Sequence, residues 1–237
     1  MRQTVKLFQI GIRQITRDGM LLVLLPAPFL IGLIFKLAIP FANQILEDML
    51  SFSLIPWYGL VDGLLICLTP MLMAMVSAFL LLEERDEGIG AFYQITPTEG
   101  YAYLMARIGF PMVYSLLVTG FAAAVFNISG LSIGAIVCSS FISTLMGSAL
   151  AMMIVSIAGN RVEGLAISKL AGVSLLGLVT VWFIPAPYAL LAAFLPSFWI
   201  GKMMMKDISL FSIIMGLLFC LLWIVIFTRK FQKRIYK

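Results

Sequence analysis

Histidine is missing from this chain of 237 residues. Its absence removes the commonest general base and the commonest transition-metal ligand, so neither a metal site nor a histidine-based catalytic centre is expected. Cysteine is scarce: Cys67, Cys138 and Cys220 each lie in an apolar run. An odd number inside such runs excludes a disulfide framework and reads as small core side chains. Charge is scarce too, at 11% of residues against about 25% in a soluble domain. No G-x-x-x-x-G-K-[ST] phosphate loop is present. No polar stretch is long enough to fold a nucleotide-binding domain. No internal repeat and no low-complexity tract stands out.

What is abundant is apolar surface. Hydrophobic residues make up 62% of the chain, and several runs exceed the roughly 18 residues that mark a membrane-spanning helix. Backbone amides in lipid must be satisfied within their own segment, so these runs are expected to be helices. Six spans are predicted: Met20 to Pro40, Trp57 to Leu82, Ile108 to Phe126, Leu131 to Ala158, Leu165 to Ile184 and Ile208 to Thr228. Between the fifth and sixth lies "PAPYALLAAFLPSFWIG", residues 185–201, apolar but broken by three prolines. It is expected to form an extracytoplasmic re-entrant or interfacial hairpin. The fold class is therefore an all-α polytopic membrane protein, one transmembrane domain over 1–237.

Residues 1–18 carry a different pattern. Val5, Phe8, Ile12 and Ile15 share one helical face, and Arg2, Lys6, Arg13 and Arg17 form a neighbouring stripe. A basic amphipathic helix of this kind lies in the interface against anionic lipid. A signal-peptide n-region is the alternative; the long run and the spans that follow favour an uncleaved first helix. With this end inside, thirteen of the sixteen Lys and Arg residues fall on the cytoplasmic side. The positive-inside rule thus places both termini in the cytoplasm. The tail "RKFQKRIYK" reads as a juxtamembrane anchor to lipid.

The densest charge in the chain is Glu83-Glu84-Arg85-Asp86-Glu87, inside the cytoplasmic stretch "LLLEERDEGIGAFYQITPTEG". Thr96-Pro97-Thr98-Glu99 is a capping box with Pro at the first helical position, so a helix is expected to restart there and run through Arg107. Gly88 and Gly90 allow a tight exit from the second span. Ile89, Phe92 and Tyr93 give a short apolar face over 83–95. A plain solvated loop would stop a span with a few charges; an apolar face beside them points to a partner surface.

This layout resembles the permease subunits of ABC-2 type ABC transporters. The points of similarity are the interfacial N-terminal helix, six spans, the Glu-rich segment "EERDEGIGAFYQITPTEGYAYLMAR", the loop "VEGLAISKL" and the broken elements after the fifth span. The resemblance implies a small bacterial exporter-like member in the plasma membrane, working with a separate ATPase subunit and a second permease chain, as a homodimer or paralogous heterodimer. ATP and Mg would sit on the partner subunit, and this chain would not itself be an enzyme. Segment 83–95 would be the coupling segment. Glu83 and Glu84 would anchor its start by pairing with Arg or Lys, and Gly88 would permit the turn. Ile89 and Phe92 would seat in the ATPase, and Pro97 would fix the restart. Asn160 and Glu163 would make a second cytoplasmic contact. The cargo implied is a small amphiphile, drug, peptide or lipid; no nucleic-acid partner is expected.

Other readings use the same residues differently. An ion-coupled secondary transporter would show repeated halves and midplane carboxylates, neither of which is evident. A lipid-acting enzyme would need a spaced acidic or nucleophilic cluster, and an accessory membrane protein would need none of these features. Asp62 and Lys36, both near the outer face, are expected to snorkel, to pair with each other, or to touch substrate. Gly147, Ser148 and Ala149 suit close helix packing, within one chain or across a dimer. "KMMMK", Lys202 to Lys206, is either ordinary span composition or an adaptable surface. The sequon at Asn127 lies too near the bilayer for ready use.

Overall fold

The computed structural model describes residues 11, 13–88, 105–205 and 208–235. Among them every regular element is helical. In chain order these are α1 (Gly19–Leu24), α2 (Ala27–Leu50), α3 (Tyr58–Asp86), α4 (Phe110–Phe126), α5 (Ile133–Ile157), α6 (Arg161–Ala171), α7 (Leu176–Phe183), α8 (Pro196–Met205) and α9 (Leu210–Ile235). Together they supply six candidate membrane spans, with α1–α2 forming the first and α6–α7 the fifth. The protein is an all-α multi-pass membrane protein.

The second and fourth spans are the centre of the bundle. Within their most apolar windows 72% of residues are buried, against 11% for the first span and 17% for the sixth. Their contact is close because Gly147 of α5 meets Pro70 of α3: a Cβ on Gly147 would lie 2.8 Å from both the Pro70 carbonyl oxygen and its Cβ. The small residues of the fourth span thus pack within the chain. Gly32 of α2 makes a similar approach to the Phe126 ring of α4. Around these contacts Ile66, Met73, Phe79, Leu82, Ile142, Met146 and Leu150 form a dry core.

Several span ends differ from the sequence expectation. The first helix does not stop at Pro40 but runs through it to Leu50, since neighbouring groups in a membrane helix can absorb the lost hydrogen bond. At the cytoplasmic end, α3 runs past the predicted Leu82, so that Glu83 to Asp86 form its last turn. Gly88 follows with a φ of +71°, and its N–H donates to the Arg85 carbonyl. This left-handed position past a helix end favours glycine.

Segment 185–201 folds as a 3₁₀ turn at Tyr188–Ala192 followed by α8, seven of whose residues are buried. The Ser197 hydroxyl donates to the Ser174 carbonyl, well below the outer end of α7. The Trp199 indole donates to the Ala193 carbonyl at 2.8 Å. Gly177 lets this hairpin seat, since a Cβ there would come within 2.8 Å of the Phe198 backbone nitrogen.

Candidate functional site: a cytoplasmic charge clasp

The run Glu83 to Asp86 occupies one helical turn, so its four side chains radiate in different directions. Each finds a different neighbour. Glu84 points inward and is 1% exposed. It accepts two hydrogen bonds from the equally buried Arg107, just ahead of α4: Nε to Oε2 at 3.1 Å, and Nη2 to Oε1. A forked guanidinium–carboxylate pair of this kind fixes geometry as well as charge. Gly11 lies against the same guanidinium, 2.5 Å from its Nη1 to the position of a Cβ.

Glu83 lies 3.5 Å from Nη1 of Arg161, the first residue of α6. The other guanidinium nitrogen of Arg161 bonds the Asp18 carboxylate, and its backbone N–H donates to Asp86 at 2.9 Å. The Arg161 head sits 5.9 Å from the Phe79 ring. Arg85 reaches the Ala158 carbonyl at the end of α5, at 3.3 Å. One turn of helix thus joins the entrance of the first span to the inner ends of the third, fourth and fifth.

Asp18 also caps α1, accepting from the Met20 and Leu21 N–H groups at 2.9 and 3.3 Å. The Arg161 hydrogen bond chiefly holds its carboxyl below the usual aspartate value, with those backbone donors helping against partial burial.

The loop before α6 has its own internal order. Asn160 is the N-cap of α6, accepting from the Glu163 N–H at 2.8 Å. The Glu163 carboxylate turns back to the Gly159 N–H at 2.5 Å. Behind them Gly164 packs on Leu82 and Phe79.

The predicted site residues therefore fall into three groups. Glu83 and Glu84 pair with arginines, and Gly88 makes the turn. Asn160 and Glu163 organise the helix start beside them. Ile89, Phe92 and Pro97 lie outside the described residues, as does the Thr96–Glu99 box. Residues 13–17 are helical, while most of the interfacial 1–18 segment also lies outside. Sequence reasoning missed two participants, Asp18 and Arg161. An Asp before an apolar run is an N-cap signal; nothing local foretold that Arg161 would span two carboxylates far from it in sequence. Val162, 77% exposed at the cytoplasmic start of α6, was also missed.

The outer face holds a second polar arrangement. Asp62, 3% exposed, accepts from the Ile128 and Ser129 N–H groups at 3.0 and 2.9 Å and from the Ser129 hydroxyl. Lys36 donates to the Val125 carbonyl at the end of α4, where a cation suits the helix dipole. Neither snorkels freely and they do not pair with each other: both fasten the short link between α4 and α5. The Asn127 side chain bonds the Ala123 and Ala124 carbonyls at 2.7 and 3.1 Å.

Six helices long and apolar enough to cross the bilayer make this a multi-pass membrane protein. Over residues 11–228 the sequence matches the family described as Rv2686c-like, fluoroquinolones export permease protein, and the chain belongs to that family. Two relatives are the fluoroquinolones export permease proteins MT2760 and Rv2686c of Mycobacterium tuberculosis, strains CDC 1551 / Oshkosh and ATCC 25618 / H37Rv. Each is 27% identical over 197 residues, 81% of this chain and 77% of the relative. No solved structure matches. The family bears out the resemblance to ABC-2 type permeases and the assignment as an exporter of the cell membrane.

Proposed function

We propose that this chain is the membrane-spanning subunit of an ATP-driven exporter. A separate ATPase subunit, carrying ATP and Mg, would dock on the cytoplasmic face around residues 83–97 and the start of α6. A second permease chain would complete the unit. The observation that carries this reading is the interlocking of Glu83, Glu84, Arg85 and Asp86 with four other elements. Force applied to the chain just beyond Gly88 reaches the first, third, fourth and fifth spans through side chains already in contact. A rigid clasp of that kind turns closure of an ATPase dimer into a coordinated movement of spans. The exposed Val162 lies next to the clasp and adds an apolar contact to the docking face. By likeness to the named relatives, the cargo is a fluoroquinolone or a similar planar amphiphile.

The test is purification in mild detergent with mass spectrometry of what accompanies the protein, followed by reconstitution. We expect an ATP-binding subunit to co-purify, Phe92→Asp to release it, and ATP to drive fluoroquinolone efflux from the reconstituted vesicles. Wild-type protein isolated alone from membranes where its genomic neighbours are expressed, with efflux indifferent to ATP, would defeat the reading.

A further inference from the structure

On the outer face a cavity of about 960 Å³ opens between the start of α3, the link before α5, the end of α7 and the end of α8. We infer that it is an extracytoplasmic site for a planar aromatic molecule, bound on its way out. This inference rests on the export reading above and names a place where the cargo is held.

Its wall is built from the methionine run. Met203 is buried at its floor, Met204 is half-buried, and Met205 is 51% exposed at its rim. Trp182 stands beside them: a Cβ on Gly59 would lie 3.0 Å from the Met204 carbonyl oxygen and 3.3 Å from the Trp182 ring. Thioethers are flexible and polarizable, and they favour contact with aromatic rings. Three in succession with an indole make a surface that can close on a flat ring system of varied outline. The volume lies within the range of drug-sized sites, about 300–1,000 Å³.

Polar groups narrow the ligand further. Among the described residues lining the cavity none is ionisable. Lys202 is turned onto the Phe198 and Trp199 rings, 5.0 and 5.3 Å from their centres, and Asp62 is taken up by residues 128–129. Those described residues offer a ligand no ionic contact of their own. Two hydroxyls supply directional polarity instead. Ser132 accepts the Ala135 N–H, which leaves its O–H free to donate. Ser129 donates to Asp62, which leaves its oxygen able to accept. A ring system with one acceptor and one donor fits this pair.

The test uses the full chain in lipid nanodiscs without an ATPase, titrated with norfloxacin, a zwitterionic fluoroquinolone, while tryptophan fluorescence is read. We expect saturable quenching that Trp182→Phe largely removes and Trp223→Phe leaves in place. Met205→Gln, at an exposed position that does not threaten folding, should weaken binding about two- to tenfold. Saturable quenching unchanged in both Trp182→Phe and Met205→Gln would overturn the site while leaving export intact. So would ATP-driven efflux by protein that shows no quenching at all. Absence of both binding and efflux would instead remove the export reading along with the site.

Discussion

Arg107 and Glu84 face each other across 23 residues of sequence and are both about 1% exposed, joined by a forked pair of hydrogen bonds. Two opposite charges are thereby set together inside a largely apolar bundle. Between them in sequence runs most of the segment expected to couple the permease to its energy source. The pair ties the last turn of α3 to the lead-in of α4.

Breaking one side of this pair takes from a buried charge its forked partner. Arg107→Met or Glu84→Leu alone should destabilise the protein by about 3–5 kcal/mol. The double variant removes both charges and should recover most of that loss, because well-packed apolar side chains often replace a buried ion pair at little cost. Thermal unfolding followed by size-exclusion in detergent reads the difference. Singles as stable as wild type would show that the pair does not bind the two spans together.

Asp18 and Arg161 form the more exposed part of the clasp, and their link depends on pH. The aspartate value is lowered in the fold, so its contribution is present above the unfolded value of about 3.9 and is lost as pH falls through the folded value. Partial exposure limits the ion pair to about 1 kcal/mol or less. Asp18→Asn should flatten the acid limb of the stability profile below about pH 4 and change little at pH 7, since an Asn still caps α1. Asp18→Ala also loses the cap and should cost about 1 kcal/mol more at neutral pH. An acid limb identical in Asp18→Asn and wild type would assign that limb to other carboxylates.

Much of this architecture is legible in the sequence because lipid imposes simple rules. Runs of about 20 apolar residues, the bias of Lys and Arg and the three prolines of 185–201 locate six spans and the segment between the last two. Asn160 and Glu163 carry a readable helix-start signal, and Gly88 a readable turn. What the sequence does not display is pairing at a distance. Glu84 could have met any arginine of the inner face, and its choice of Arg107 follows from the packing of α3 on the lead-in to α4. Asp62 and Lys36 are near the same face, yet each is drawn to a peptide group of the α4–α5 corner. Buried backbone donors and carbonyls must be satisfied, and their demand is invisible until the chain is folded.

Two glycines separate rigid from yielding contacts. At Gly147 an added Cβ meets the Pro70 carbonyl at 2.8 Å, an atom fixed in a neighbouring helix. At Gly164 it meets Leu82 Cδ1 at 2.5 Å, the far end of a side chain that can turn. Alanine gains about 1 kcal/mol of helix propensity over glycine at either site. Overpacking of about 1–3 kcal/mol at the rigid contact outweighs that gain. Gly147→Ala should therefore lower the melting temperature clearly, and Gly164→Ala should leave it nearly unchanged. The reverse order would mean that α3 and α5 can separate more easily than Leu82 can rotate.

Asp62 offers a matched pair of substitutions on the outer face. Asp62→Ala leaves the Ile128 and Ser129 N–H groups without their acceptor, at about 1–3 kcal/mol. Asp62→Asn keeps one carbonyl oxygen in place and should cost about half as much. Limited proteolysis between α4 and α5, measured from the outside, should accelerate in the same order. Equal resistance in both variants would show that Lys36 and the Asn127 side chain hold the corner without Asp62.

Arg161 tests whether the clasp transmits motion or merely closes the fold. Its side chain bonds Asp18 and lies near Glu83, while its backbone N–H alone meets Asp86. Arg161→Gln removes the two ionic links and keeps the backbone one, so α6 should still start at the same residue. Each link is partly exposed and contributes about 1 kcal/mol or less, so the protein should fold and bind its ATPase. If the clasp conducts force, this variant should hydrolyse ATP at near the wild-type rate while exporting severalfold less substrate for each ATP consumed. A double variant carrying Asp18→Arg and Arg161→Asp restores one ionic link with its sense reversed and should regain part of the lost coupling. Efflux and hydrolysis falling together in Arg161→Gln, with no recovery in the reversed pair, would reduce the clasp to a structural fastening. The path of coupling would then run through the Glu84–Arg107 pair and the Arg85–Ala158 contact.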